Sequence, residues 1–365
     1  MEVQIPKKYL ADSLSHIERI IPNRSSNPNL SLLFIEVKDN KIILRGSNLE
    51  IDIESSLSAD IDFEKNETFA VPANVFGQIV RSLPGELVVL GFSENEMSIA
   101  SGNYGTKLQL VKDIESSNIS FPETYSGSID GKIFAKLLSH VRYAAAVAEY
   151  QAIFRGIKLE LKQNHTRAIA TDGFRLAYYD ANSSSGLEED IVIPARSVDE
   201  LIKLLSDDEA KIAVENNQLS ILNGAFKVNL KLMDGTFPDY EKIIPTDFPL
   251  KISLDAESFA GSIKRVALMA DKTGNNRIGI FIKEGLLQIT AEGSYGRAQE
   301  ELAVKQEGDE AEIALAYNAN YLIDALKPIK GEVNLAFSAL DRPSPSVLRS
   351  VDDPKYLAMV VPLRI

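Results

Sequence analysis

A chain of 365 residues exceeds what one hydrophobic core usually fills, so two or three domains are expected. With 45% hydrophobic and 25% charged residues the composition is globular; no apolar run reaches the ~18 to 20 residues of a membrane helix, Met1 to Leu10 lacks the apolar core of a secretory signal, and the absence of cysteine excludes disulfides, thiolate metal sites and a cysteine nucleophile. A cytoplasmic location is expected, and the formal charge of −13, taken as a sum, argues against a nucleic-acid partner.

Leu10, Leu14 and Ile17 have the i, i+4, i+7 spacing of one buried helix face. Leu33, Ile35 and Val37, then Ile42 and Leu44, alternate as a hairpin turning at Asp39-Asn40. Val71-Pro72-Ala73 opens a second helix bearing Phe76, Ile79, Val80 and Leu83. Strand-like sequence follows from Leu87 to Ile99, with a turn near Glu94-Asn95, before a Pro-punctuated connection at Phe121-Pro122.

The same phrases then return. Phe134, Leu138 and Val141 repeat the first helix, Gly156 to Leu161 the hairpin, and Ile193-Pro194-Ala195 with Val198, Leu201, Ile202 and Leu205 the second helix. Within the latter, Ser197-Val198-Asp199-Glu200 reads as a capping box. Ile212 to Leu222 turns near Asn216-Asn217, and a second connection lies between Pro245 and Pro249. The third copy carries Phe259, Ile263 and Val266, strands over Ile278 to Ile289, Tyr317-Asn318-Ala319 with Leu322, Ala325, Leu326 and Ile329, and strands over Val333 to Leu348. Three repeats at a spacing of about 120 residues predict an α+β protein of three domains, 1–122, 123–247 and 248–365. Each has two helices covering one face of antiparallel sheets.

Position qualifies the net charge. The six helical phrases hold 12 Lys and Arg against 8 Asp and Glu, leaving 27 against 44 elsewhere. Arg81, Lys203 and Lys327 occupy one slot of the second helix, and His16, His140 and Arg265 one slot of the first. Two readings stand: solvated faces of amphipathic helices, or a basic helical surface on an acidic body.

Catalytic motifs are missing. There is no GxxxxGK[ST] loop, HExxH, GxSxG elbow or dinucleotide fingerprint. The histidines read as surface residues, and Asp172 and Asp234, each followed by Gly, as turn residues. The apolar ending Met359-Val360-Val361-Pro362-Leu363-Arg364-Ile365 reads as a last strand whose Pro interrupts the ladder, leaving Val361 and Leu363 to wall a groove.

Thr171-Asp172-Gly173-Phe174-Arg175-Leu176-Ala177, the segment Leu232 to Pro245 reading LMDGTFPDYEKIIP, and the terminal VVPLRI together resemble the beta subunit of bacterial DNA polymerase III, the replicative sliding clamp. The resemblance implies two chains joined head to tail in a ring of six domains, helices inward, with no catalysis and no cofactor. It implies double-stranded DNA held without sequence preference, touched by Arg24, Arg81, Arg142, Arg196, Lys203, Lys264 and Lys327. It also implies a groove for the Gln-, Leu- and Phe-rich peptides of the polymerase, the clamp loader, and repair and translesion factors. The groove residues would be Phe154, Thr171, Gly173, Phe174, Arg175, Leu176, Pro238, Lys242, Ile243, Ser346, Met359, Val361, Pro362, Leu363 and Arg364. Leu268 and Met269 would lie near the contact between chains. Phe174 stands where the family frequently has His, Lys242 where it often has Arg, and Arg155 where a small polar residue is common; Asp341 to Pro345 resembles an insertion beside Ser346. The residues alone also leave open a peptide-binding scaffold without DNA and a carboxylate-based hydrolase.

Overall fold

Helices begin where extended backbone meets a residue that sets the first turn. In the computed structural model, which describes residues 2–61, 66–112, 119–148, 152–308, 312–339 and 342–364, six α-helices occur: α1 (Lys7–Ile20), α2 (Ala73–Ser82), α3 (Gly131–Val141), α4 (Ala195–Leu204), α5 (Ala256–Val266) and α6 (Ala319–Leu326). Pro6 and Pro72, each with φ of −60°, precede α1 and α2, and Pro194 precedes α4. The proline ring presets φ there, and its missing N–H falls where a helix has no partner to offer. The other three starts use side-chain caps: Asp130 accepts from the Ile133 amide at 2.9 Å, Asp255 from Ser258 at 2.8 Å and Asn318 from Asn320 at 2.9 Å. The expected capping box at Ser197 is therefore corrected. Pro194 starts α4 three residues earlier, and the Ser197 hydroxyl is buried inside the helix without a hydrogen-bond partner.

The anticipated helix faces are the core. Leu10, Leu14 and Ile17, Phe134, Leu138 and Val141, and Phe259, Ile263 and Val266 are all buried. Each such side chain contributes on the order of 1.5 to 3 kcal/mol. Helix α1 lies so close to its sheet at Gly46 that a Cβ there would fall 2.5 Å from Ile17 Cγ2. The hairpin turns at Asp39-Asn40 and Asn216-Asn217 place both residues in the left-handed region, with φ of 51° and 55°, and 52° and 59°. That is the primed geometry matching strand twist.

The described chain divides into two compact units, residues 1–135 with 196–232, and residues 136–195 with 233–365. The first unit holds a five-stranded sheet ending at the strand Tyr104–Gln109, and an eight-stranded sheet. In the latter, strands of the first repeat join strands of the second where Phe226–Lys231 pairs antiparallel with Ile51–Ser58, Phe226 opposite Ser55 and Leu230 opposite Ile51. The second unit holds a nine-stranded sheet and a four-stranded sheet ending at Gly296–Ala303. Its nine strands join second and third repeats where Tyr356–Val360 pairs with Arg175–Asp180, Tyr356 opposite Tyr179 and Val360 opposite Arg175. The rule is the same twice: the last strand of one repeat closes on the third hairpin strand of the repeat before it.

Candidate functional site

The residues singled out around TDGFRLA all fall in the second unit. The loop before the strand Arg175–Asp180 is shaped by its own side chains: Asp172 Oδ1 accepts from the amides of Phe174 and Arg175, both at 2.9 Å, and the Thr171 hydroxyl donates to the Arg175 carbonyl at 2.7 Å. Asp172 is thus the turn residue its sequence suggested. Gly173 has φ of +86°, a conformation that a side chain would strain, and the Phe154 ring lies 3.8 Å from the point where its Cβ would stand. The loop presents Phe174 outward, 62% exposed.

The chain terminus runs past this loop. After Val360 the Val361 amide donates to the Phe174 carbonyl at 2.9 Å, Pro362 interrupts the ladder, and the Leu363 amide donates to Ala316 at 2.7 Å. Val361 and Leu363 are half-buried, Pro362 is buried and Arg364 exposed. Thr171, Leu176, Ser346 and Met359 are buried, Ser346 sharing a 2.6 Å hydrogen bond with Tyr317. Those four can contribute only from beneath the surface that Phe154, Phe174, Val361 and Leu363 offer. Ser346 begins a strand, Ser346–Ser350, although part of the preceding Asp341 to Pro345 segment lies outside the described residues. Pro238, Lys242 and Ile243 come from the segment leading to the third repeat. Ile243 is 46% exposed, and Lys242 is paired with Asp239 at 2.6 Å.

Arg175 has a larger role than the sequence indicated. Its guanidinium bonds Asp172 at 3.0 Å and Asp324 of α6 at 2.8 Å, and stacks on Tyr321 at 4.4 Å and Tyr143 at 5.4 Å from the ring centroids. Asp324, Tyr321 and Tyr143 were not anticipated. The only local signal was the i, i+3 spacing of Asp324 and Lys327.

The expected DNA-contacting residues are divided between the units. Arg24, Arg81, Arg196 and Lys203 belong to the first, and Arg142, Lys264 and Lys327 to the second. Many are paired. Arg81 meets Glu18 of α1 at 2.7 Å, Lys203 meets Glu200 at 2.7 Å, Lys327 meets Asp324 at 2.6 Å, and Arg196 meets Glu50. Arg24 and Lys264 are exposed. Each cation in the shared slot shares its field with a carboxylate, so contact with a polyanion would be weak and screened beyond about 10 Å at 0.1 M salt.

The histidine reading is corrected for the repeat slot. His16 packs edge-on against Phe226 at 5.3 Å between ring centroids, and His140 against Tyr179 at 4.8 Å and Tyr356 at 5.7 Å. Burial lowers both pKa values. They wedge the two inter-repeat strand junctions. In the third repeat the slot holds Arg265, bonded to Glu300 at 2.5 Å, and the guanidinium with the Ser262 hydroxyl holds that carboxyl down at about 2. Nearby, Leu268 is 73% exposed and Met269 half-buried. Among the described residues no His, Asp and Glu side chains cluster as a metal site, and no helix is long and apolar enough to cross a membrane.

Comparison with known proteins matches nearly the whole length in three pieces. Residues 1–118 match the N-terminal domain of the DNA polymerase III beta subunit, 128–239 its central domain and 241–364 its C-terminal domain. The beta sliding clamp of Staphylococcus epidermidis is 26% identical across 100% of this chain and 99% of its own length, and that of Streptococcus pneumoniae serotype 4 is 27% identical across 99% and 98%. Among solved structures, the DNA polymerase III beta chain of Streptococcus pneumoniae superposes with a TM-score of 0.92 at 25% identity, covering 100% of both chains. The sliding clamp of Bacillus subtilis gives 0.92 at 24%, covering 100% of this chain and 99% of that one.

Proposed function

The chain belongs to the DNA polymerase III beta subunit family, and from that premise we propose that two copies close head to tail around duplex DNA and tether partners through the groove beside Phe174 and Val361. It is a sliding clamp subunit of α+β fold, and its family is non-catalytic. A closed ring cannot leave the duplex without opening, so weak contacts suffice. The paired cations of α2, α4 and α6 suit that task better than a tight basic cleft would.

The observation that carries this reading is the strand-junction rule. Applied a third time, it leaves Tyr104–Gln109, the last strand of the first repeat, and Gly296–Ala303, the third hairpin strand of the last, as the two remaining partners. Each is the edge of its own sheet, and pairing them between two copies would be a closing two-fold arrangement. The register follows from the junctions within the chain: Ser55 faces Phe226 and Tyr179 faces Tyr356, so Glu300 would face Tyr104 of the second copy. Arg265 would then hold the place that His16 and His140 hold against their aromatic rings. Leu268 would replace Tyr143, whose hydroxyl bonds Tyr356 at 2.7 Å. This supports Leu268, with Met269, as part of the contact.

The groove would receive the polymerase, with the clamp loader and repair and translesion factors competing for it through short peptides. Apolar Phe154, Phe174, Ile243, Val361 and Leu363 suit Leu and Phe anchors, each contributing on the order of 1.5 to 3 kcal/mol when buried. A cytoplasmic location accords with such a role. Light scattering over a dilution series tests ring formation, and retention on closed circular against linear DNA tests encirclement. A persistent two-chain particle retained only on circles is expected. A monomer, or equal loss from both DNAs, would instead favour a peptide-binding scaffold.

A further inference from the structure

The segment that carries Pro238, Lys242 and Ile243 has little regular structure of its own: between the strands Phe226–Lys231 and Leu250–Asp255 it forms one short turn, Glu241–Ile243. It is nevertheless pinned at one point. Tyr240 is 3% exposed, packed with Ile169, Leu176, Val347, Leu357 and Met359 on the nine-stranded sheet. Its hydroxyl accepts from Arg167 Nη1 at 2.7 Å and lies 3.0 Å from Glu160 Oε2, to which it donates. Both neighbours are themselves held, Arg167 by Asp180 at 2.8 Å and Glu160 by Lys158 at 2.8 Å. The Ile243 amide returns to the Tyr240 carbonyl at 3.2 Å, so the turn that points Ile243 outward starts from the residue that points inward.

We propose that Tyr240, bridged between Arg167 and Glu160, is a positioning residue for the peptide groove, setting where Ile243 and Lys242 stand as one wall. This rests on the groove reading given above. The first inter-repeat connection supplies the contrast. It has a similar spelling, Phe121-Pro122-Glu123-Thr124-Tyr125, yet the Tyr125 hydroxyl is buried without a hydrogen-bond partner, and no expected groove residue lies on that segment. The bridged tyrosine therefore accompanies the one connection that carries groove residues. A phenol shared between a guanidinium and a carboxylate fixes the segment in direction as well as depth, which apolar packing alone does not do.

The test is a set of substitutions in the full chain, titrated with a fluorescent synthetic peptide containing Gln, Leu and Phe. Tyr240→Phe keeps the ring and its packing and removes only the bridge; Arg167→Met removes the same bond from the other side. Loss of a charge-assisted hydrogen bond should weaken peptide binding about three- to tenfold in both variants, with the native mass unchanged. The effect should be non-additive with Ile243→Ala and additive with Leu363→Ala, a distinction that general destabilisation would not produce. Unchanged affinity in Tyr240→Phe and Arg167→Met, where Val361→Ala weakens binding about tenfold or more, overturns the positioning role and leaves the groove standing. Indifference of binding to Val361→Ala as well overturns both.

Discussion

Arg175 and Asp324 join the loop beside the terminal strand to helix α6: the guanidinium bonds Asp324 Oδ2 at 2.8 Å, while the other carboxylate oxygen accepts from Lys327 at 2.6 Å. One carboxylate thus serves a proposed groove residue on one side and a cation expected to face DNA on the other. Asp324→Asn should weaken peptide binding severalfold by loosening Arg175, at a stability cost of about 1 to 3 kcal/mol, and should strengthen retention on DNA by releasing Lys327. Peptide titration and a retention assay on the same variant read both directions; a change in neither would show that the shared carboxylate couples nothing.

Val361 and Leu363 are expected to act as anchors for partner peptides. Replacing either with Ala should reduce peptide affinity by about tenfold or more, the equivalent of roughly 1.4 kcal/mol, without altering native mass or melting by more than a few degrees. Calorimetric titration decides this, and full retention of affinity would relocate the binding site.

Arg81, Lys203 and Lys327 should act together. Changing all three to Glu reverses the shared slot and adds uncompensated charge beside Glu18, Glu200 and Asp324, so retention on circular DNA should fall and do so more steeply as salt is lowered. Peptide binding should be unaffected. Equal retention by the triple variant and the parent would remove these residues from the DNA-facing set.

The proposed contact between copies should be sensitive at Leu268. A charged residue there, as in Leu268→Glu, would be buried against Tyr104 of the second copy without a partner, costing several kcal/mol. Light scattering should find a larger monomer fraction on dilution, and a dimer as persistent as the parent would place Leu268 elsewhere.

Stability should decline as pH falls from 7 towards 5.5. Burial against aromatic rings lowers the pKa values of His16 and His140, so over this window the unfolded chain binds protons that the folded chain refuses. The loss begins near the unperturbed value of about 6.5. It precedes the separate, more acidic window in which Glu300, held at about 2, loses its contribution as pH falls through the ordinary carboxylate range. Replacing both histidines with Phe should flatten the melting temperature between pH 7 and 5.5, whereas an unchanged slope would assign it to other groups.

Helices were legible in the sequence because a buried face writes itself locally: Leu10, Leu14 and Ile17 need only 3.6-residue periodicity to be seen. Prolines were harder to read. At Ser197 a good capping spelling competed with Pro194, and the residue that fixes φ prevailed over the one that offers a hydroxyl. Pairings between distant strands, such as Phe226 opposite Ser55, leave no local trace, and neither did the wedging of His16 and His140 that depends on them. The proposed groove residues were named through motif spelling, but the spelling of Arg175 gave no hint of Asp324 or the two tyrosines around it. Nor did the shared slot of Arg81, Lys203 and Lys327 indicate that carboxylates attend all three cations.

The two strand junctions also bear on how the molecule can be divided. Phe226–Lys231 finishes a sheet begun in the first repeat, and Arg175–Asp180 is finished by a strand of the third. A cut at either repeat boundary would therefore bare long rows of backbone N–H and C=O groups, sites for promiscuous strand addition. Because the sheets cross the repeat boundaries, cooperative melting is expected over units larger than one repeat. Single-repeat fragments should aggregate, and the middle repeat should be the least able of the three to survive alone.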